Sequence, residues 1–136
     1  MSTNDTSAND MGEKPEDISP EMREFYKCLK GRPGMYFCNN IYDLRTFMCG
    51  MEACRRVFFE KEKQPVIEPD GFTKFVKDFY SETRTFDSFQ VIDNLEKDPK
   101  NGIAKWFELL DSYLISLGYE PIPELKPRRK MGDKQE

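Results

Sequence analysis

Apolar side chains recur at every third or fourth position in five separate segments of this chain. That spacing places them along one face of an α-helix, whereas a half-buried strand needs strict alternation. The second segment shows the pattern best, because apolar residues from Ile41 to Phe58 keep the helical period throughout. No alternating stretch exceeds a few residues, so the sequence predicts an all-α fold, a single compact bundle of four or five helices.

Start and stop signals set the bounds of these helices. Short polar residues that can cap helix N-termini precede the apolar segments. They are Ser19, Asn40, Asp70, Asp98, and either Thr85 or Asp87. The expected helices span 20–30, 41–62, 71–81, 88–97 and 99–117, and Gly118 closes the last one. Gly50 costs the second helix about 1 kcal/mol relative to Ala, so we expect another element to approach it closely. Trp106 is expected in the core.

The two ends of the chain differ from its middle in composition. Residues 1–18 are rich in Ser, Thr, Asn and Asp and are expected to form a disordered acidic tail. Residues 124–136, which include Lys-Pro-Arg-Arg-Lys, are expected to form a basic flexible tail. The helical domain between them, 19–123, has an acidic balance, which does not favour nucleic acid as a partner because phosphate binding needs a basic surface.

Residue types that carry chemistry are scarce. Histidine is absent, which removes the usual general base at neutral pH. The cysteines at 28, 38, 49 and 54 form no Cys-x-x-Cys pair of the kind that structural zinc needs. We therefore expect no catalytic residue, no cofactor and no metal, with the cysteines as small buried side chains and Cys38 as the most exposed thiol. The N-terminus lacks an apolar signal segment and no long apolar span occurs, so a cytoplasmic location is expected.

A rigid corner separates the first two predicted helices. It consists of Arg32, Pro33, Gly34, Met35 and Tyr36. Proline fixes φ near about −65° and glycine accepts a positive φ, so this pair predicts a tight turn of type II. The apolar run 35–37 that follows is expected to be buried. Arg32 and Tyr36 either hold the corner together or contact a partner.

Acidic residues outnumber lysines in the last third of the domain. The candidates for a partner-binding patch are Asp87, Asp93, Glu96, Asp98, Glu108 and Asp111. Asp93 and Glu96 share a face if their segment is helical, since they are three residues apart. Two interpretations remain open: an acidic patch that attracts a basic protein and speeds encounter, or an ordinary solvated surface.

The string Lys30 to Tyr36 resembles the N-terminal segment of the GHKL ATPase domain of type II topoisomerases. That domain is a mixed α/β fold with an Asp-x-Gly-x-Gly strand end and a Gly-rich lid, and this sequence contains neither. A nucleotide-binding fragment of that type is one alternative function. A small nucleic-acid-associated regulator that uses the basic tail is another.

Over residues 20–118, the order of elements resembles small bacterial immunity proteins of polymorphic toxin and contact-dependent growth inhibition systems. The shared features are the Arg32–Tyr36 corner, the Gly50-Met51 step, the Phe-rich helix at 72–80 and the Trp106-Phe107 to Tyr113 segment. The chain departs from that pattern at Cys38, where Gly is common, and at Phe86 and Phe89, near which a Trp is expected. The resemblance implies a non-enzymatic inhibitor that binds a cognate toxin, such as a basic nuclease domain, and covers its active site.

Overall fold

The structure is a computed structural model that describes residues 14–58 and 68–125. Within those ranges the chain forms five α-helices and two short 3-10 turns and no strand, so the predicted all-α bundle is confirmed. The helices are α1 (Pro20–Gly31), α2 (Ile41–Phe58), α3 (Phe72–Tyr80), α4 (Ser88–Leu95) and α5 (Gly102–Ser116). The 3-10 turns are Pro33–Tyr36 and Pro99–Asn101. The predicted extension of the second helix to residue 62 lies outside the described residues.

Aromatic side chains around α5 form the centre of the core. Trp106 is fully buried, as predicted, and its ring stacks on Phe89 with centroids 5.1 Å apart. The ring edges of Phe72 and Phe107 meet it at 5.2 and 5.0 Å, and Tyr26 of α1 lies at 6.1 Å. Such pairs contribute about 0.5–1.5 kcal/mol each beyond simple burial. One indole on α5 therefore joins α1, α3 and α4 at a common centre.

Local capping chemistry accounts for most of the helix ends. Ser19 accepts a hydrogen bond from the Met22 N–H at 3.1 Å, and Asn40 accepts one from the Asp43 N–H at 2.8 Å. Asp87, not Thr85, caps α4, and its carboxylate and the Gln90 side chain form a reciprocal capping box. Gly118 takes a φ of 87°, as its place after the last helix predicted.

Two predicted helix ends were wrong. Asp70 does not cap α3; the N-cap is Gly71, whose φ is 84°, and no side chain caps that helix. The carbonyl of Asp70 instead accepts a hydrogen bond from the Tyr113 hydroxyl at 2.5 Å. At the last helix, a 3-10 turn occupies the first three expected positions, and α5 begins at Gly102.

The close approach expected at Gly50 occurs at Gly102 instead. Gly50 is exposed, and a Cβ placed there would meet nothing within 4 Å. A Cβ placed on Gly102 would lie only 2.9 Å from the Cβ of Ile41. The first turn of α5 therefore packs against the start of α2 at a distance that only glycine permits.

Residues near both predicted domain boundaries contact the helical bundle. Residues 14–18 pack on the bundle: Ile18 is buried, and the Tyr119 hydroxyl donates to the Pro15 carbonyl at 3.0 Å. At the other end, Ile122 is buried and Glu124 pairs with Lys30 at 2.8 Å. The remainder of both predicted tails, 1–13 and 126–136, lies outside the described residues.

A largely buried polar network links Glu68, in the segment before α3, to three helices. The Ser88 hydroxyl accepts a hydrogen bond from the Trp106 indole at 3.0 Å and donates to the Glu68 carboxylate at 2.5 Å. The Thr73 hydroxyl donates to the other oxygen of the same carboxylate and accepts from the Ser88 N–H at 3.1 Å. Burial raises the pKa of Glu68 above its usual value, although the hydroxyl hydrogen bonds oppose that shift. The network fixes the relative placement of α3, α4 and α5.

Candidate functional site

The corner between α1 and α2 is a 3-10 turn, and Phe37, directly after it, has a left-handed backbone. The Met35 N–H donates to the Arg32 carbonyl at 3.1 Å, and the Phe37 N–H donates to the Gly34 carbonyl at 3.1 Å. Gly34 does not take a positive φ; Phe37 does, with a φ of 62°. The predicted type II turn was therefore wrong, because the chain stays in a right-handed 3-10 conformation through the glycine and turns left three residues later.

The apolar side chains of this corner point mostly into solvent. Met35 is 67% exposed and Phe37 is 86% exposed, and Tyr42 in the first turn of α2 is 59% exposed. The expected burial of the run 35–37 holds only for Tyr36, which is half-buried with its ring 5.5 Å from that of Phe47. We call Met35, Phe37 and Tyr42 the apolar corner. Three large apolar side chains in eight residues, presented by an ordered turn, form a surface suited to protein contact.

Phe37 is the residue that the fold itself explains least. A left-handed conformation costs a non-glycine residue roughly 1–2 kcal/mol, and a bulky aromatic residue there is an outlier. An exposed ring recovers almost none of that cost through burial. Glycine or asparagine would satisfy the same backbone at lower cost. Strained residues of this kind concentrate at functional positions, so Phe37 marks the corner as the candidate site.

A cleft of about 480 Å³ adjoins the apolar corner. Pro33 and Gly34 of the 3-10 turn form part of the cleft lining, and the first turns of α5 form another part. Cys38 also lines it but is only 2% exposed, so the prediction of Cys38 as the most exposed thiol was wrong; Cys54 is the exposed one. Burial, together with the nearby Asp43 carboxylate, raises the pKa of the Cys38 thiol, which keeps it protonated and poorly nucleophilic.

Two of the six predicted acidic binding residues form ion pairs with cations on other helices of the bundle. Asp87 caps α4 and pairs with Arg45 of α2 at 2.8 Å. Asp111 pairs with Lys30 of α1 at 3.0 Å, and its other oxygen accepts from the Ile122 N–H at 2.8 Å. Both carboxylates therefore hold elements of the bundle together.

The other four acids are spread over α4, the following loop and α5. Glu96 is the C-cap of α4, and Glu108 lies on α5. Burial raises the pKa of the Tyr80 phenol, and the Glu96 and Glu108 carboxylates add to that increase, so both carboxylates lie near Tyr80. Asp98 accepts a hydrogen bond from the Lys100 N–H at 3.0 Å, and Asp93 is exposed on α4. The structure therefore brings Glu96 and Glu108 toward one side chain but does not gather the six acids into one patch.

Arg32 and Tyr36, the other two predicted contacts, both lie at the corner. Tyr36 is largely used in packing against α2, in line with the more conservative of the two interpretations. Arg32 is half-buried and makes no ion pair with a described residue. Phe37 was not among the residues predicted to contact a partner, although the short distance between the turn and the Asn40 cap requires the chain to change direction sharply in that stretch.

No protein-family model, no curated protein and no solved structure matches this chain. The function must therefore be inferred from the fold and from its surface. Among the described helices, none combines the length and the apolar character that crossing a bilayer requires. The residues described also contain no group of Cys, Asp and Glu side chains arranged to hold a metal ion. Their all-helical fold differs from the mixed α/β fold that the GHKL resemblance implies.

Proposed function

We propose that this chain is a non-enzymatic protein-binding inhibitor, an immunity protein that neutralises a cognate bacterial toxin domain in the cytoplasm. The observation that carries the proposal is Phe37, an aromatic side chain held 86% exposed on a left-handed backbone. Its strain and its exposure both disfavour it in an isolated protein, and both are explained if a partner covers the ring. The order of helices around the corner, which resembles that of immunity proteins, supports the same function.

The corner is preorganised for binding. Its backbone is fixed by hydrogen bonds within the turn, and the Cys38 N–H donates to the Pro33 carbonyl at 3.0 Å. Tyr36 fixes one side of the turn against α2. A surface that is already ordered loses little entropy on association, so more of the contact energy appears as affinity. Inhibition would follow from steric cover of the toxin active site by this preformed surface.

Charge suggests the chemistry of the toxin. The chain has a formal net charge of −4, and three of the predicted acidic contacts, Asp93, Asp98 and Glu108, are exposed. Acidic groups outside the apolar contact would speed encounter with a basic toxin, such as a nuclease domain, more than they would tighten the complex. Arg32 and Tyr36 at the corner, with the acids on α4 and α5, remain the proposed contacts alongside Phe37.

The first test is genetic. We expect the neighbouring gene to encode a large secreted protein with a variable C-terminal toxin domain, and this chain to protect cells that express that domain. Phe37→Gly should abolish protection, since a central aromatic hot spot is worth about 2 kcal/mol or more. Ser81→Gly is the matched control because Ser81 is the other non-glycine residue with a positive φ among those described. Protection that survives Phe37→Gly, or a neighbourhood without a toxin gene, contradicts the proposal.

A further inference from the structure

The cleft beside the apolar corner is lined by both apolar and charged side chains. Its apolar lining comes from Pro33 and from Ile103, Ala104 and Phe107 on one side of α5. Its charged lining consists of Lys30, Lys100 and Glu124. A volume of about 480 Å³ is within the range of pockets that enclose a small molecule or a large side chain.

The three charged groups that line the cleft are not equally available to pair with a ligand. The Lys30 ammonium contacts Asp111 at 3.0 Å, Glu124 at 2.8 Å and the Ile122 carbonyl at 3.1 Å. An ammonium has three N–H donors, so these contacts use all of them. Lys30 therefore pairs with both Asp111 and Glu124, and Lys30 and Glu124 of this cluster line the cleft.

Lys100 is the available cation. Its side chain is exposed, and it makes no ion pair with any residue the structure describes. It stands directly before α5, whose first turn lines the cleft, so the positive end of that helix dipole adds to its charge. Lys100 is thus the one charged side chain of the cleft lining without an ion-pair partner among the described residues, and it lies beside apolar side chains.

We propose that this cleft receives a large apolar side chain of the partner protein, flanked by a carboxylate that pairs with Lys100. The inference rests on the proposed function. A protein segment is the occupant because Pro33 and Gly34 belong both to the cleft wall and to the turn that presents Met35 and Phe37. A ligand confined to the cleft would leave those exposed side chains in water, whereas a protein surface covers the corner and fills the cleft together.

Small probes test the chemistry of the cleft without the partner. In an NMR titration of the full chain, 3-phenylpropionate should shift the amides of Gly34, Asn39 and Ala104. It should bind about three- to fivefold more tightly than phenethylamine. This ratio is expected because the carboxylate of the first probe attracts the exposed Lys100 ammonium, whereas the ammonium of the second probe is repelled by it. Lys100→Gln should remove that preference. Equal binding of the two probes, or shifts located elsewhere, overturns the proposal.

Blocking the cleft tests its use by the partner. Ala104→Trp places an indole in the cleft, and Ser112→Trp places one at another exposed position of α5 as the control. We expect Ala104→Trp to abolish the probe shifts and to weaken binding of the toxin domain at least about tenfold, and Ser112→Trp to do neither. Unchanged toxin binding by Ala104→Trp, with loss of binding by Phe37→Gly, overturns this inference and leaves the proposed function standing. Absence of toxin binding by the wild-type chain overturns both.

Discussion

At the scale of single residues, the side chains that serve the fold can be separated from those that do not. Trp106, Ser88 and Asp87 are each buried or bonded, and each has an evident structural role. Phe37 has none: its backbone is strained and its ring is exposed. A residue that lowers the stability of the free protein needs another source of selection, and contact with a partner supplies one.

The strain at Phe37 predicts an unusual stability effect. Phe37→Gly should raise the free energy of unfolding by about 0.5–1 kcal/mol, because glycine adopts a positive φ without the Cβ penalty. Phe37→Ala keeps the strain and should change stability little. Chemical denaturation of the two variants measures the difference, with Ser81→Gly as a second positive-φ position. A loss above about 1 kcal/mol on Phe37→Gly would mean that the ring packs within the molecule.

Glu68 predicts how stability depends on pH. Burial raises its folded-state pKa, and the nearby Asp87 carboxylate adds to the shift, so the folded state binds its proton more tightly than the unfolded state does. That contribution to stability is fully present below the unfolded pKa and is lost as pH rises through the folded pKa. In Glu68→Gln, the contribution is absent. The unfolding free energy of wild type minus that of the variant should therefore fall as the pH rises above about 4.3, the ordinary pKa of a glutamate.

Denaturant titrations at several pH values measure that difference. Glu120→Gln is the control, since Glu120 is exposed. Its difference from wild type should stay flat over the same range. A Glu68 difference that rises with pH would contradict the sign of the shift.

At the scale of elements, the sequence predicted what local chemistry decides. Helix periods and the caps at Ser19, Asn40 and Asp87 depend on residues within a turn of each other, and the structure agrees with all three. The left-handed Phe37 and the Glu68 network could not be predicted in this way. Glu68 meets Ser88 across 20 residues and Trp106 meets Ser88 across 18, so their pairing follows from how the helices pack.

The capping box of α4 predicts a graded response at Asp87. Asp87→Ala should lower the unfolding free energy by about 1–2 kcal/mol, since it removes the cap of an eight-residue helix and leaves Arg45 unpaired. Asp87→Asn keeps a good N-cap and should cost clearly less. Urea denaturation distinguishes the two variants. Equal costs would assign the effect to the ion pair with Arg45 and not to the cap.

At the scale of the whole molecule, the described residues form a helical bundle whose exposed corner and cleft meet at Pro33 and Gly34. The fold class was predictable because five amphipathic segments leave few alternatives. The candidate site was predictable only in part. The sequence of residues 32–36 indicated a functional corner. Which side chains of the corner face solvent depends on the backbone directly after the turn, where Phe37 and not Gly34 takes a positive φ.

The account also predicts no response to nucleotide. A thermal-shift assay with ATP and magnesium should leave the melting temperature unchanged, because a ligand raises it only by binding the native state. The toxin domain should raise it under the same conditions. A reproducible increase with ATP would favour the nucleotide-binding alternative over the protein-binding one.

Calorimetric titration of wild type, Phe37→Gly and Ser81→Gly with the purified toxin domain tests whether the apolar corner is the binding surface. We expect a one-to-one complex with wild type, an affinity lower by about thirtyfold or more for Phe37→Gly although we expect that variant to be more stable, and an unchanged affinity for Ser81→Gly. Equal affinities for all three proteins would show that the apolar corner is not the binding surface.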